Sequence, residues 1–115
     1  MKIHQKWCLK KAKIKQKRLT KFYPNEQSIL DIGSGNCALF FLLKKEGKNI
    51  TAIDIINKSC FDEITPIIYN GTSLPFEDKQ FNSVQLITVL HHIKQPEETI
   101  REAKRVGKQI VIMED

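Results

Sequence analysis

Short runs of β-branched and apolar residues recur along this chain, each closed by turn residues and separated by stretches of helical spacing. Ser28–Ile32 reads as a buried strand, broken by Gly33 and Gly35. The apolar run from Ala38 to Leu43 predicts a helix over Cys37–Glu46, stopped by Gly47. A second strand is predicted over Ile50–Ile55, then a short helix or turn over Asn57–Glu63, and a third strand at Ile67–Tyr69. Turn residues and a proline make 70–79 a loop, and Ser83–Leu90 a long fourth strand. Pro96, Glu97 and Glu98 open a helix with a proline and acids in its first turn. Ile100, Ala103 and Val106 give that helix an apolar face, Gly107 ends it, and Lys108–Met113 forms a fifth strand. Strands that alternate with helices predict an α/β fold on a mostly parallel sheet with right-handed crossovers.

The N-terminal stretch breaks this pattern. Residues 2–22 are rich in Lys and Gln, and Trp7, Ala12, Ile14, Leu19 and Phe22 fall only loosely at helical spacing, which predicts a basic, weakly amphipathic helix. Residues 1–21 carry nine basic side chains and no acid, so the net charge of +6 belongs to this arm, while the rest of the chain is slightly acidic. Pro24-Asn25 marks a boundary between an arm, 1–24, and a single domain, 25–115. The arm reads as a solvated helix packing a few side chains on the domain, as a contact for RNA, or as a contact for an anionic membrane surface. Scarce Arg argues against a transit peptide. No apolar run reaches the roughly 20 residues that span a bilayer. Cys8, Cys37 and Cys60 are odd in number, far apart and without metal-ligand spacing, so no metal site is expected and a reducing cytoplasm is the simplest compartment.

Strand, glycine turn and helix open a nucleotide-binding βαβ unit, in which Gly33 and Gly35 let backbone N–H groups approach a ligand at the positive end of a helix. Gly33, Gly35 and Ala38 also fit a dinucleotide fingerprint. Asp31 tilts the reading away from NAD, because a carboxylate beside a pyrophosphate repels it but suits the ammonium of an amino-acid group such as that of S-adenosylmethionine. Asp54 ends the second strand, 19 residues after Gly35, where an acid accepts the hydroxyls of a ribose. Asn70 ends the third strand and reads either as an adenine contact or as the first residue of an Asn-Gly turn. Leu74-Pro75-Phe76 reads as an apolar wall for the adenine or as loop packing. His91 and His92 leave the fourth strand on the same rim, where one of them is a candidate general base and the pair is a poor metal site.

Five pieces in order carry a resemblance: Leu30-Asp31-Ile32-Gly33-Ser34-Gly35-Asn36; Asp54; Leu74-Pro75-Phe76-Glu77-Asp78 with Phe81; Val89-Leu90-His91-His92-Ile93; and Glu102-Ala103-Lys104-Arg105-Val106. In these the chain resembles the class I S-adenosylmethionine-dependent methyltransferases of type 11, from about Ile29 to Asp115. The resemblance implies a Rossmann-like three-layer fold and S-adenosylmethionine as cofactor. Asp31, Gly33 and Gly35 would hold its methionine part, Asp54 its ribose, and Thr88, Val89 and Leu90 would lie under the sulfonium. The implied activity is methyl transfer to an acceptor that the sequence does not identify. Cys37 stands where the family usually has a third glycine, and Asn70, Asn82 and Thr88 stand where acids are common. The family's antiparallel last two strands are lacking, which leaves the fifth strand as a bare edge open to pairing. That implies a fragment, a chain whose edge a partner covers, or a catalytically silent remnant that binds RNA or protein through its basic arm.

Overall fold

The computed structural model describes residues 1–24 and 27–114; residues 25, 26 and 115 and the side chain of His91 lie outside the described residues. The chain runs α1 (Ile3–Leu19), a 3₁₀ turn (Thr20–Phe22), β1 (Ser28–Ile32), α2 (Ala38–Lys45), β2 (Asn49–Asp54), β3 (Ile67–Ile68), β4 (Phe81–Ile87), a 3₁₀ turn (Leu90–His92), α3 (Pro96–Val106) and β5 (Gly107–Met113). All five strands are parallel in the order β3-β2-β1-β4-β5, as the alternating pattern predicts. Residues 57–63, read from the sequence as helix or turn, form a turn. Among the described residues no helix is long and apolar enough to cross a membrane.

Alternation along the strands sorts the core into two faces. Leu30, Ile32, Val84 and Leu86 face one way and pack with Ala103 and Val106 of α3. Ile29 and Ile87 face the other way, where Leu43 of α2 joins Leu19 and Tyr23 from the N-terminal segment. The N-terminal helix is therefore built onto the domain: Leu9 and Ala12 pack against Ala38, Leu42 and Phe61. Of the apolar residues that suggested an amphipathic arm, Trp7, Ile14 and Phe22 are exposed, and the packing face is Leu9, Ala12 and Leu19.

The fourth strand is shorter at its end than the pattern predicts. β4 ends at Ile87, three residues before the predicted end. Thr88 takes a left-handed φ of 53° and donates its N–H to Met113 O at 2.5 Å, which turns the chain out of the ladder. The α2 stop is as predicted: Gly47 adopts φ 96° and donates to Lys44 O while Lys48 N reaches Leu43 O, a Schellman closure.

Two of the five resemblance pieces clamp each other. Arg105 donates to Glu102, to Asp78 Oδ1, and to the carbonyls of Phe76 and Leu74, while Leu74 N donates to Glu102 Oε1 at 2.8 Å. The hydrogen bond from Arg105 is the main reason that the Glu102 carboxyl is held below its ordinary value. Phe76 meets the edge of Phe81 at 4.9 Å. These motifs fasten the 74–78 loop to α3. Asn82 is also structural: its Oδ1 accepts the amide of Ser28 at 2.8 Å and pins the start of β1 to β4, at the opposite end of the sheet from the glycine loop.

Candidate functional site

The strand order reverses between β1 and β4, because the chain travels outwards to β3 and then returns to lay β4 on the other side of β1. In such sheets the crevice at the carboxyl ends of the strands, at the reversal, takes the ligand. A cleft of about 1030 Å³ opens there, lined by the 31–36 loop, by Asp54 and Ile55 after β2, by Asn70 and Gly71 after β3, and by Thr88, Val89 and His92 after β4. Its roof is α1, which contributes Cys8, Lys11, Ala12 and Lys15.

The glycine turn is built differently from an anion cradle. Gly33 and Gly35 both adopt positive φ, 76° and 55°, and a Cβ on Gly33 would collide with the Val89 side chain. Their amides turn inward, contrary to the expectation that they approach a ligand. Gly33 N donates to Ile53 O at 2.8 Å, Ser34 N to the same carbonyl at 3.3 Å, and Gly35 N to Asp54 Oδ2 at 2.8 Å. Cys37 N donates to Ser34 O and Ala38 N to Asn36 Oδ1. Cys37 adopts φ 65° where a glycine would be easiest and tucks a fully buried thiol beneath the loop, so the cleft is not crowded by it. Burial is the chief reason that this thiol is raised above its ordinary value.

Carboxylates face the cleft instead. Asp31 is only 4% exposed, and burial pushes its carboxyl up to about 7; the Gln85 hydrogen bond opposes that rise and the charge of Asp54 adds to it. Gln85 Nε2 donates to Asp31 Oδ1 at 2.9 Å, and Tyr23 Oη donates to Gln85 Oε1 at 2.6 Å. This buried Tyr23–Gln85–Asp31 relay was not found from the sequence; its members lie 54 and 62 residues apart, and the only signals are a Gln amid the apolar run of β4 and a Tyr just before Pro24. Burial, then the charge of Asp31, holds the Tyr23 phenol well above its ordinary range, so it stays a donor. Asp54 Oδ2 accepts Gly35 N and its Oδ1 accepts Ile55 N at 2.8 Å, which leaves further lone pairs on each oxygen for a ligand.

The other expected site residues divide. Thr88 and Val89 line the cleft, and Lys15 Nζ donates to Thr88 Oγ1 at 3.1 Å, bridging roof and rim. His92 lines it too, while the side chain of His91 lies outside the described residues. Asn70 reaches the cleft, but its Oδ1 holds Thr72 N and Ser73 N at 2.9 and 3.0 Å, so the turn reading fits and the expected acceptor for an adenine amine is already used. Leu74 and Leu90 do not line the cleft. Leu74 is buried in the α3-side core, and Leu90 packs against that core with its amide on Glu114 Oε1.

The Gly33, Ser34 and Gly35 amides are spent within the protein while Asp31 and Asp54 line the cleft, a set of acceptors that suits a cationic group better than a pyrophosphate. Comparison with known proteins gives the fold and the family. No curated protein matches the chain. Among solved structures, a SAM-dependent methyltransferase from Methanosarcina mazei is 25% identical, with TM-score 0.65 over 78% of this chain and 51% of its own. A SAM-dependent methyltransferase from Aquifex aeolicus shares the fold at 21% identity, TM-score 0.65, over 81% of this chain and 57% of its own. The [4+2]-cyclase SpnF shares it too, at 18% identity and TM-score 0.70, over 84% of this chain and 41% of its own. The chain thus spans about half the length of the solved structures that it matches. The model of the methyltransferase domain, type 11, matches residues 30–112, most of the chain and all of the rim just described, and the chain belongs to that family.

Proposed function

We propose that this domain binds S-adenosylmethionine in the cleft at the β1–β4 reversal and passes its methyl group to a nucleophilic acceptor. The observation that carries the reading is the polarity of the glycine turn, with the Gly33, Ser34 and Gly35 amides tied inward and the carboxylates of Asp31 and Asp54 lining the cleft. In this reading Asp31 takes the ammonium of the methionine part, oriented by Gln85 and Tyr23. Asp54 takes the ribose hydroxyls on the lone pairs that Gly35 and Ile55 leave. Thr88 and Val89 wall the side where the acceptor approaches. When bound, the cofactor supplies a methyl group on a sulfonium. The chain's share of the chemistry is then to hold the two reactants in line and keep water out, which is worth several powers of ten in rate. His92 is our candidate to accept a proton from an acceptor that must lose one.

Calorimetry with S-adenosylmethionine and with its demethylated product tests the reading. Micromolar heats with both are expected, and Asp54→Ala should weaken both by about 10- to 100-fold, the worth of hydrogen bonds to a charged group. No heat from either ligand at high micromolar concentration would refute cofactor binding. Unchanged affinity in Asp54→Ala would refute the ribose assignment.

A further inference from the structure

His4 and Cys8 stand one helical turn apart on α1 and so share a face. Across from them, on the loop between β2 and β3, stands Cys60. One ligand atom from each of these three residues lies within 4.8 Å of the other two. In a tetrahedral zinc site, bonds of about 2.0–2.3 Å put neighbouring donors about 3.5–3.8 Å apart. Closing the gap takes about 1 Å of movement. We propose that His4, Cys8 and Cys60 form a zinc site that fastens α1 to the rim of the cleft.

The donor chemistry selects the ion. One imidazole nitrogen and two thiolate sulfurs suit Zn²⁺, whereas Mg²⁺ and Ca²⁺ require oxygen ligands, and none belongs to this cluster. Three protein ligands leave a fourth position for water. The loop half of the site is already held in place. Cys60 N donates to Asn36 O at 3.0 Å, and Gln5 Nε2 donates to Cys60 O at 2.8 Å. The adjoining Phe61 stacks on Phe41 of α2 with ring centroids 4.7 Å apart. Cys8 also lines the cleft, and Asn36 belongs to the glycine turn. An ion bound here therefore joins roof and floor directly, whatever the cleft itself takes. Binding would release both thiol protons and stabilise the folded chain by mass action. Sequence spacing hides the site because Cys60 is 52 residues from Cys8; only the His4–Cys8 interval of four residues signals it.

The test is a cobalt titration of the reduced, metal-free 115-residue chain, followed by displacement with zinc. About one equivalent of Co²⁺ should bind, with an intense thiolate-to-cobalt band in the near ultraviolet and the visible bands of a tetrahedral ion. Zinc should bleach both. Cys8→Ser and Cys60→Ser should each lose much of the thiolate band. His4→Ala, a change at an exposed position, should weaken zinc by about tenfold or more while leaving the circular dichroism unchanged. Zinc should also slow proteolysis within residues 1–20 of the native chain and not of the His4→Ala chain. The proposal fails if cobalt gives only a weak octahedral spectrum, or if the thiolate band persists in Cys60→Ser. It also fails if His4→Ala binds zinc as the native chain does, or if Cys8 and Cys60 form a disulfide in preference to binding metal in reductant.

Discussion

On the floor of the cleft, Asp31 and Asp54 are held by partners that belong to the sheet and its loops, namely Gln85, Gly35 and Ile55. Over the roof, α1 carries lysines and is held by three buried side chains, Leu9, Ala12 and Leu19, and by side-chain hydrogen bonds near the surface. Those bonds run from Gln5 to Cys60, from Gln16 and Thr20 to Glu46, and from Lys15 to Thr88. The floor is acidic, buried at Asp31 and half-buried at Asp54, and fixed by the topology. The roof is basic, half-solvated and attached at a few points. A cationic ligand entering this cleft is drawn to the first and repelled by the second, so the floor sets what binds and the roof sets how easily it is covered.

The largest expected effect comes from the floor. Folded, Asp31 keeps its proton up to about pH 7, whereas an unfolded chain releases it near pH 4. Between these values the unfolded state binds fewer protons, so this residue makes stability fall as pH rises. The loss amounts to roughly 4 kcal/mol across the window, complete above about pH 7. Asp31→Asn should cancel that slope, and urea denaturation of both proteins from pH 4.5 to 7.5 measures the difference. Parallel curves would show that Asp31 is ionised in the free protein. A bound cation should pull the Asp31 proton off, so cofactor affinity should rise from pH 6 to 8 in the native protein and stay flat in Asp31→Asn.

Next in size is the roof's anchor. Leu19 is fully buried among Tyr23, Ile29 and Leu43, so Leu19→Ala should cost about 2–5 kcal/mol. If α1 is part of the same cooperative unit as the sheet, the whole urea transition moves to lower concentration in one step. A separate early transition with the main one unmoved would make α1 an appendage and widen the contrast between roof and floor.

Tyr23→Phe comes third. It removes one oxygen and leaves Gln85 Oε1 buried without its donor, at about 1–3 kcal/mol. A structural role alone lowers the melting temperature. A positioning role also weakens the cofactor, because Gln85 is then free to turn its amide away from Asp31. Calorimetry at matched fractions folded separates the two.

The strands of this fold were legible because a parallel sheet buried on both faces shows as continuous apolar runs, and Ser28–Ile32 was found to the residue. The acids that line the cleft were legible because both sit next to chain features that sequence displays: Asp31 before a glycine pair, Asp54 at the end of a strand. Leu74 stayed open between a pocket wall and loop packing because an apolar residue in a loop looks the same in either role; Arg105, 31 residues away, favours packing by closing the loop onto α3. Asn82 stands where the family often has an acid, and its place at the far end of the sheet was hidden because position within a motif does not reveal the end of the strand on which it falls. The Tyr23–Gln85–Asp31 relay and the His4–Cys8–Cys60 cluster were out of reach for a related reason, since each joins segments that only the completed topology brings together.

The smallest effect tests the roof's charge. Lys15 is half-buried and donates to Thr88 Oγ1, so Lys15→Ala should cost only about 0.5–1 kcal/mol of stability. Its effect on binding depends on the ligand's charge, which makes it more informative than its size. A lysine ammonium on the rim of a half-solvated cleft opposes a cationic ligand by on the order of 0.5 kcal/mol. Removing it should tighten S-adenosylmethionine by about twofold and leave the demethylated product, which has no sulfonium charge, unchanged. The ratio of the two affinities is therefore the quantity to measure, because losses in roof closure cancel from it. A ratio that does not move would mean that Lys15 lies too far from the sulfonium to feel it, and the roof would then act through coverage and not through charge.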